Sequence, residues 1–307
     1  MSKPKICVVG AANIDLVSYV PRLPQLGETL HGTRFQMGFG GKGANQAVMA
    51  AKLGADVAIV TKLGQDIFGE NTLKNFRAWG VDTQYVLFTG QAFSGVAPIA
   101  VDTAGHNSII IVMGANDLLT EADIEAARPA IAASQILVCQ LEIPAAVNLA
   151  ALRVAKEEGV TTIFNPAPAK PDLPAEFYQL SDIFCPNENE TEMLTGQAVS
   201  TIEEAKAAAR ILLERGAGKV ILTLGERGSL LVTAAETNHA PAPQVRALDS
   251  TGAGDAFVGS LAYFVALGQP VAEAMRRANH IAALSVQAAG TQTSFPAAAD
   301  LPAELLK

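Results

Sequence analysis

The 307-residue sequence has little cysteine, little histidine, few aromatic residues and no run of like charge. Its three cysteines, Cys7, Cys139 and Cys185, lie far apart with no C-x-x-C pair, which argues against a disulfide framework or a thiol redox motif. Each sits in or beside an apolar strand-like run, so reduced core cysteines and a cytoplasmic location are expected. The four histidines are scattered without an H-x-x-x-H pair, which argues against a zinc enzyme. The longest uncharged apolar stretch, residues 256–272, contains Gly259, Gly268 and Pro270 and is short for a membrane span; it reads as a buried helix ending near Gly268. The apolar run 6–10 is too short for a signal peptide and reads as a first strand. Thirty acidic and 22 basic residues give a net charge of −8, so no nucleic-acid-binding face is expected. Internal repeats, low-complexity linkers and a clean domain boundary are all lacking, and one domain over residues 1–307 is expected.

What the chain has in quantity is apolar residues, 50% of the total, enough for a large core. Val- and Ile-rich runs at 6–9, 57–61, 136–139, 162–165, 183–185, 220–223 and 230–233 predict strands. Ala-rich stretches at 44–53, 68–79, 121–133, 145–158, 202–214, 255–266 and 271–286 predict helices between them. Continuous apolar strands alternating with helices define an α/β fold, a doubly wound, mostly parallel sheet with helices on both faces. Ligands in such sheets gather beyond the carboxyl ends of the strands. Two segments break the alternation, about 15–39 and 91–113. The second reads as a hairpin turning at 102–107, and together they predict a small antiparallel sheet set apart as a lid or an interface.

Chemistry concentrates at a few loops. Asp249-Ser-Thr-Gly-Ala-Gly-Asp255 stands just before an apolar helix. Its glycines let the backbone approach a ligand, and the helix N-terminus favours an anion beside Asp255. An Asp that only caps the helix is the plainer reading. Gly38-Phe-Gly40-Gly41-Lys42-Gly43-Ala-Asn45 matches G-x-G-x-x-G, but no buried strand precedes it and no acid ends the strand near Thr61. A dinucleotide site is therefore rejected, as is a Walker A loop, because Gly43 follows Lys42. A tight glycine loop offering N–H groups, a lysine and an amide remains, beside the alternative of a plain turn. Asn13-Ile-Asp15 suits a sugar diol or an Asx turn. Asn187 and Glu190 suit Mg²⁺ held through water, or ordinary chemistry at a helix start. Gln140-Leu-Glu142 and Thr223-Leu-Gly225 also end strands.

Taken in order, Gly40–Asn45, Gln140–Glu142, Asn165-Pro-Ala-Pro-Ala169, Asn187–Glu190 and Asp249–Asp255 resemble the ribokinase family of carbohydrate kinases over essentially the whole chain. The resemblance implies a central α/β domain with a β lid that closes over the sugar and forms a homodimer. It implies Asp255 as the base for the sugar's primary hydroxyl and Gly252, Ala253 and Gly254 as an anion hole for the γ-phosphate of ATP. Asn13, Asp15, Gly41, Lys42, Asn45 and Glu142 would contact sugar. Asn187, Glu190, Thr223, Gly225, Gly228, Gly254 and Asn279 would hold nucleotide and Mg²⁺. K⁺ would sit on Asp249 and Ser294 with carbonyls of Thr251, Ser285, Ala288 and Gly290. Residues 66–86 and Ser94–Pro98 are similar to deoxyribokinases, yet Asn13 follows the ribose pattern where deoxyribokinases have Met. Phosphorylation of D-ribose at its 5-hydroxyl is therefore expected. The alternatives are a kinase for 2-deoxyribose or another sugar or nucleoside, or an inactive sugar-binding protein.

Overall fold

The computed structural model describes residues 3–306; Met1, Ser2 and Lys307 lie outside the described residues. In chain order the first half comprises β1 Lys5–Val9, β2 Asn13–Tyr19, β3 Arg34–Gly40, α1 Lys42–Lys52, β4 Asp56–Gly64, α2 Ile67–Ala78, β5 Val86–Thr89, β6 Gly95–Val101 and β7 Asn107–Ile109. There follow α3 Glu121–Ala126, α4 Arg128–Ala132, β8 Ile136–Cys139, α5 Ala145–Glu157, β9 Thr161–Phe164, α6 Ala175–Gln179, β10 Ile183–Phe184 and α7 Glu188–Thr195. The chain then runs through α8 Ile202–Glu214, β11 Val220–Thr223, β12 Ser229–Val232, β13 Thr237–Ala240, α9 Ala253–Ala266, α10 Val271–Ser285 and α11 Ala303–Leu306.

The main sheet has nine strands in the order β13-β12-β11-β10-β9-β8-β1-β4-β5. All neighbours from β5 to β11 pair parallel; β11–β12 and β12–β13 pair antiparallel at one edge. From β1 the chain builds outward through β4 and β5, then returns to place β8 on the other side. That reversal opens a crevice beyond the carboxyl ends of β1 and β8. The two-residue period of β1 explains why both faces are covered. Ile6 and Val8 join the core under α1, α9 and α10, while Cys7 and Val9 join the core under α5 and α8. The apolar stretch 256–272 is accounted for by α9, which is buried nearly all round between α1, α10 and the sheet. Among the described residues no helix is long and apolar enough to cross a membrane.

The small sheet has the order β3-β2-β6-β7 and is mixed, which corrects the expected antiparallel arrangement. β2–β3 and β6–β7 pair antiparallel, but β2 pairs β6 parallel, Asn13 opposite Gly95 through Tyr19 opposite Val101. The chain leaves β2–β3, crosses the main body through α1, β4, α2 and β5, and only then returns; such a crossover permits parallel pairing, where a short hairpin would not. The predicted helix 121–133 is divided into α3 and α4, with Pro129 in the first turn of α4, where its missing N–H costs nothing. A cavity of about 520 Å³ separates the inner face of the small sheet from the main body.

Candidate active site

A 170 Å³ pocket lies at the carboxyl ends of β9, β10 and β11, lined by Lys42, Asn165, Asn187, Glu190, Thr223, Gly252, Gly254 and Asp255 among others. Three helix N-termini meet there, those of α1, α7 and α9, and each contributes the positive end of its dipole. The start of α9 is set by Gly252, whose φ of +78° is left-handed and whose Cβ, were there one, would stand 2.5 Å from Thr291 Cγ2. The first-turn N–H groups of α9 have no carbonyl one turn back within the helix. That of Ala253 donates to Ser250 O at 3.2 Å. Nothing crowds the Cα of Gly254, so a ligand can approach the backbone closely.

Asp255 is buried, and the capping alternative fails on its bonds. Its Oδ2 accepts from Asn45 Nδ2 and its Oδ1 from Gln46 Nε2, both at 2.9 Å and both from α1. The helix cap itself is Gly252, with no side-chain bond. The glycine loop before α1 is likewise more than a turn. Gly41 has φ +85° and packs on the backbone of Ala11–Asn13, and Gly43 packs on Gly10. This close approach brings the N-terminus of α1 against the end of β1, where the Lys42 N–H donates to Glu142 Oε2 at 2.8 Å. The strand preceding the loop is β3, an exposed strand of the small sheet, in keeping with rejection of a dinucleotide site.

Electrostatics favour a ligand rich in hydroxyl donors and cations. Burial, then the charges of Glu142 and Asp255, push the Asp15 carboxyl up to about 7. Burial pushes Glu190 up to about 7 as well, against the opposing Asn187 N–H and Lys42. Burial also raises Glu142, while Asp255 above all holds Lys42 higher than usual. Asp255, Glu142 and Glu190 therefore act on one lysine, with Asp15 beside two of them, a surplus of negative charge that hydroxyl donors suit and a bound cation would relieve.

Asn187 and Glu190 form a reciprocal cap on α7, Asn187 Oδ1 accepting from Glu190 N and Glu190 Oε2 from Asn187 N, both at 2.8 Å. The helix-start reading is thus realised, and both side chains still line the pocket, where a carboxylate and an amide oxygen fit hydrated Mg²⁺. The Asn187–Thr223 bridge holds this corner against β11. Asp249 ties the turn before α9 to the loop after α10, accepting from Thr251 N and Gly290 N at 2.9 Å each. Ser294 Oγ donates to Thr291 O at 2.9 Å, leaving its oxygen free to accept; with Asp249 it offers hard donors that fit a monovalent cation.

The remaining expected residues fall in three places. Asp15, Asp249, Thr251 and Gly290 face the larger cavity below the small sheet. Asn13 is buried beside it, its Oδ1 accepting from Asn116 Nδ2 at 2.9 Å. Gly225 and Gly228 flank the turn after β11, next to a third cavity lined by Arg227, His239 and Pro241. Asn279 on α10 donates to Ala240 O at 2.8 Å, and Ser285 Oγ donates to Ala282 O at 2.8 Å, while Ala288 lies in the loop beyond. The motifs missed Gln46, Asn116 and Gln292, all buried and all bonded to motif residues. Gln46 carried one signal, an uncharged polar side chain amid Ala and Val in a buried helix.

Residues 3–298 match the pfkB family of carbohydrate kinases. A mouse ribokinase is 49% identical over 304 residues, covering 98% of this chain and 94% of that one. A Salmonella typhi deoxyribokinase is 43% identical over 291 residues, covering 95% of each. Among solved structures, Arabidopsis thaliana ribokinase complexed with ribose and ATP superposes with a TM-score of 0.91 at 32% identity, covering 100% of this chain and 99% of that one. The chain belongs to the pfkB family of carbohydrate kinases.

Proposed function

We propose that this kinase transfers the γ-phosphoryl group of ATP to the primary 5-hydroxyl of D-ribose. The observation that carries the reading is Asp255, buried at the start of α9, with both carboxylate oxygens fixed by amides and the Gly252–Gly254 turn beside it. Phosphoryl transfer asks for positioning and charge stabilisation more than for covalent chemistry. Asp255 accepts the hydroxyl proton late, as the oxygen–phosphorus bond forms. The free N–H groups at the start of α9, with Lys42, face the charge developing on the transferred group. Asp15, Asn13, Asn45 and Glu142 hold the sugar hydroxyls. Glu190 and Asn187 would hold Mg²⁺ through water, whose charge would offset that of the phosphate oxygens. Asp249, Ser294 and the carbonyls of Thr251, Ser285, Ala288 and Gly290 would hold K⁺ and stiffen the turn from beneath. Thr223, Gly225, Gly228 and Asn279 line the nucleotide side.

Residues 15–39 and 91–113 act as a lid, whose closure limits ATP hydrolysis by water. Its outer face joins two copies into a homodimer, and the buried thiols suit a reducing cytoplasm. A second reading, 2-deoxyribose as substrate, is favoured by the deoxyribokinase relative. Against it stands Asn13. A buried amide left unpaired over a 2-deoxy position costs about 1–3 kcal/mol.

The test is ADP release with ATP and Mg²⁺ on D-ribose and 2-deoxy-D-ribose, with and without K⁺. The expected result is a preference for ribose of about ten- to hundredfold and activation by K⁺. Equal or faster turnover of deoxyribose would contradict the role of Asn13, and K⁺-independent rates would contradict the cation site.

A further inference from the structure

We infer that Gln46 and Gln292 are positioning residues for phosphoryl transfer, each the middle of an amide chain that ends on one carboxylate oxygen of Asp255. The first chain runs from Gln140 Nε2 to Gln46 Oε1 at 2.7 Å and from Gln46 Nε2 to Asp255 Oδ1 at 2.9 Å. Gln46 Nε2 also donates to Asn165 Oδ1 at 3.2 Å, whose own Nδ2 donates to Cys185 O at 2.8 Å. The second chain runs from Asn75 Nδ2 to Gln292 Oε1 at 2.8 Å, then from Gln292 Nε2 to Asn45 Oδ1 at 3.0 Å, then from Asn45 Nδ2 to Asp255 Oδ2 at 2.9 Å.

Direction is what makes these chains more than packing. An amide that donates to a carboxylate must turn its oxygen away, and a buried oxygen needs a donor of its own. Gln140 supplies that donor for Gln46, and Gln292 supplies it for Asn45. Both chains run with every N–H₂ aimed toward Asp255; Gln140 Oε1, at the outer end of the first, is buried and has no hydrogen-bond partner. Gln46 and Gln140 are 0% exposed, Gln292 4% and Asn45 5%, so water is not positioned to replace a missing link. The carboxylate is thereby held by a neutral donor on each oxygen while it lines the pocket. α1, α2, β8 and the loop after α10 all converge on it.

The backbone at both positions is secured independently of these amides. Gln46 lies inside α1, and Lys52 Nζ clamps the loop by donating to Gln292 O and Phe295 O at 2.7 Å each. Gln46→Met and Gln292→Met keep size while removing the donor, so a folded protein with a loosened base is the expected product.

The inference rests on Asp255 acting as the base, and the assay uses whichever pentose the unmodified protein phosphorylates faster. Thermal unfolding and the kcat and KM for sugar and ATP are measured for each variant. Gln46→Met should lower kcat about tenfold or more, and Gln292→Met about threefold, with both KM values within about twofold of the parent. The double variant should fall below either. Parental kcat in Gln46→Met would overturn the relay and leave the kinase reading standing. A rise in both KM values matched by a loss of thermal stability would also overturn it, by showing a structural role alone. An unmodified protein inactive on every pentose would overturn both readings.

Discussion

Asp15, proposed above to hold a sugar hydroxyl, carries a stability cost of its own. Its carboxyl is lifted from the ordinary 3.8 to about 7, by burial first and by Glu142 and Asp255 after it. Because the folded state holds this proton more tightly than the unfolded chain, the group's stabilising contribution is full at low pH. It is lost as pH rises from about 3.8 to about 7, at a cost on the order of a few kcal/mol. Glu190, also raised to about 7, acts with the same sign. Asp15→Asn, which never ionises, should therefore raise the melting temperature at pH 8 far more than at pH 4.5, while sugar saturation is lost. Melting curves of both proteins at the two pH values check this; an equal shift at both would contradict the burden. At this scale the sequence was legible wherever a residue lay in a compact motif, as Asn45 and Asp255 do. Gln46, Gln292 and Asn116 escaped because their meaning lies in partners 209, 247 and 103 positions away in the chain.

At the scale of elements, apolar runs buried on both faces were readable because burial leaves a continuous pattern, as in β8 and β11. β5 and β13 were not: β13, Thr-Asn-His-Ala, is polar and mostly exposed, and β5 lies at the sheet edge with Val86 alone fully buried. The orientation of β6 beside β2 escaped for another reason: local sequence records turns, whereas that pairing is decided by a path through the main body. Register divides the faces of the small sheet. Tyr19, Arg34 and Gln36 face the cavity, with the Arg34 guanidinium 3.8 Å from the Tyr19 ring centroid. Phe35 alternates with them, is absent from the cavity lining and is 63% exposed. An exposed aromatic residue on this strand is where the proposed dimer contact would be tested. The proposed dimer therefore predicts a two-copy mass in sedimentation equilibrium and a one-copy mass for Phe35→Glu with the fold retained. A monomeric parent would contradict it.

For the whole molecule, the winding of the sheet decides where chemistry can occur. Reversal at β1 and β8 leaves one crevice, and into it come Lys42 and Asn45 from α1, Glu142 after β8, Asn187 and Glu190 at α7, and Asp255 at α9. Residues 42 and 255 stand at opposite ends of the sequence, so motif order shows that they belong to one site, while only the fold shows what touches what. The small sheet lies over that crevice with a cavity of about 520 Å³ beneath it, and Asp15 lines that cavity from β2. This assembly is proposed to deliver a sugar's primary hydroxyl to Asp255. The most direct test is to identify the product by ³¹P and ¹³C NMR after incubation with ATP, Mg²⁺, K⁺ and D-ribose. Phosphate on carbon 5 is expected, with a rate lower by about a hundredfold or more in Asp255→Asn. Phosphate on the anomeric or a secondary hydroxyl, or a parental rate in Asp255→Asn, would contradict it.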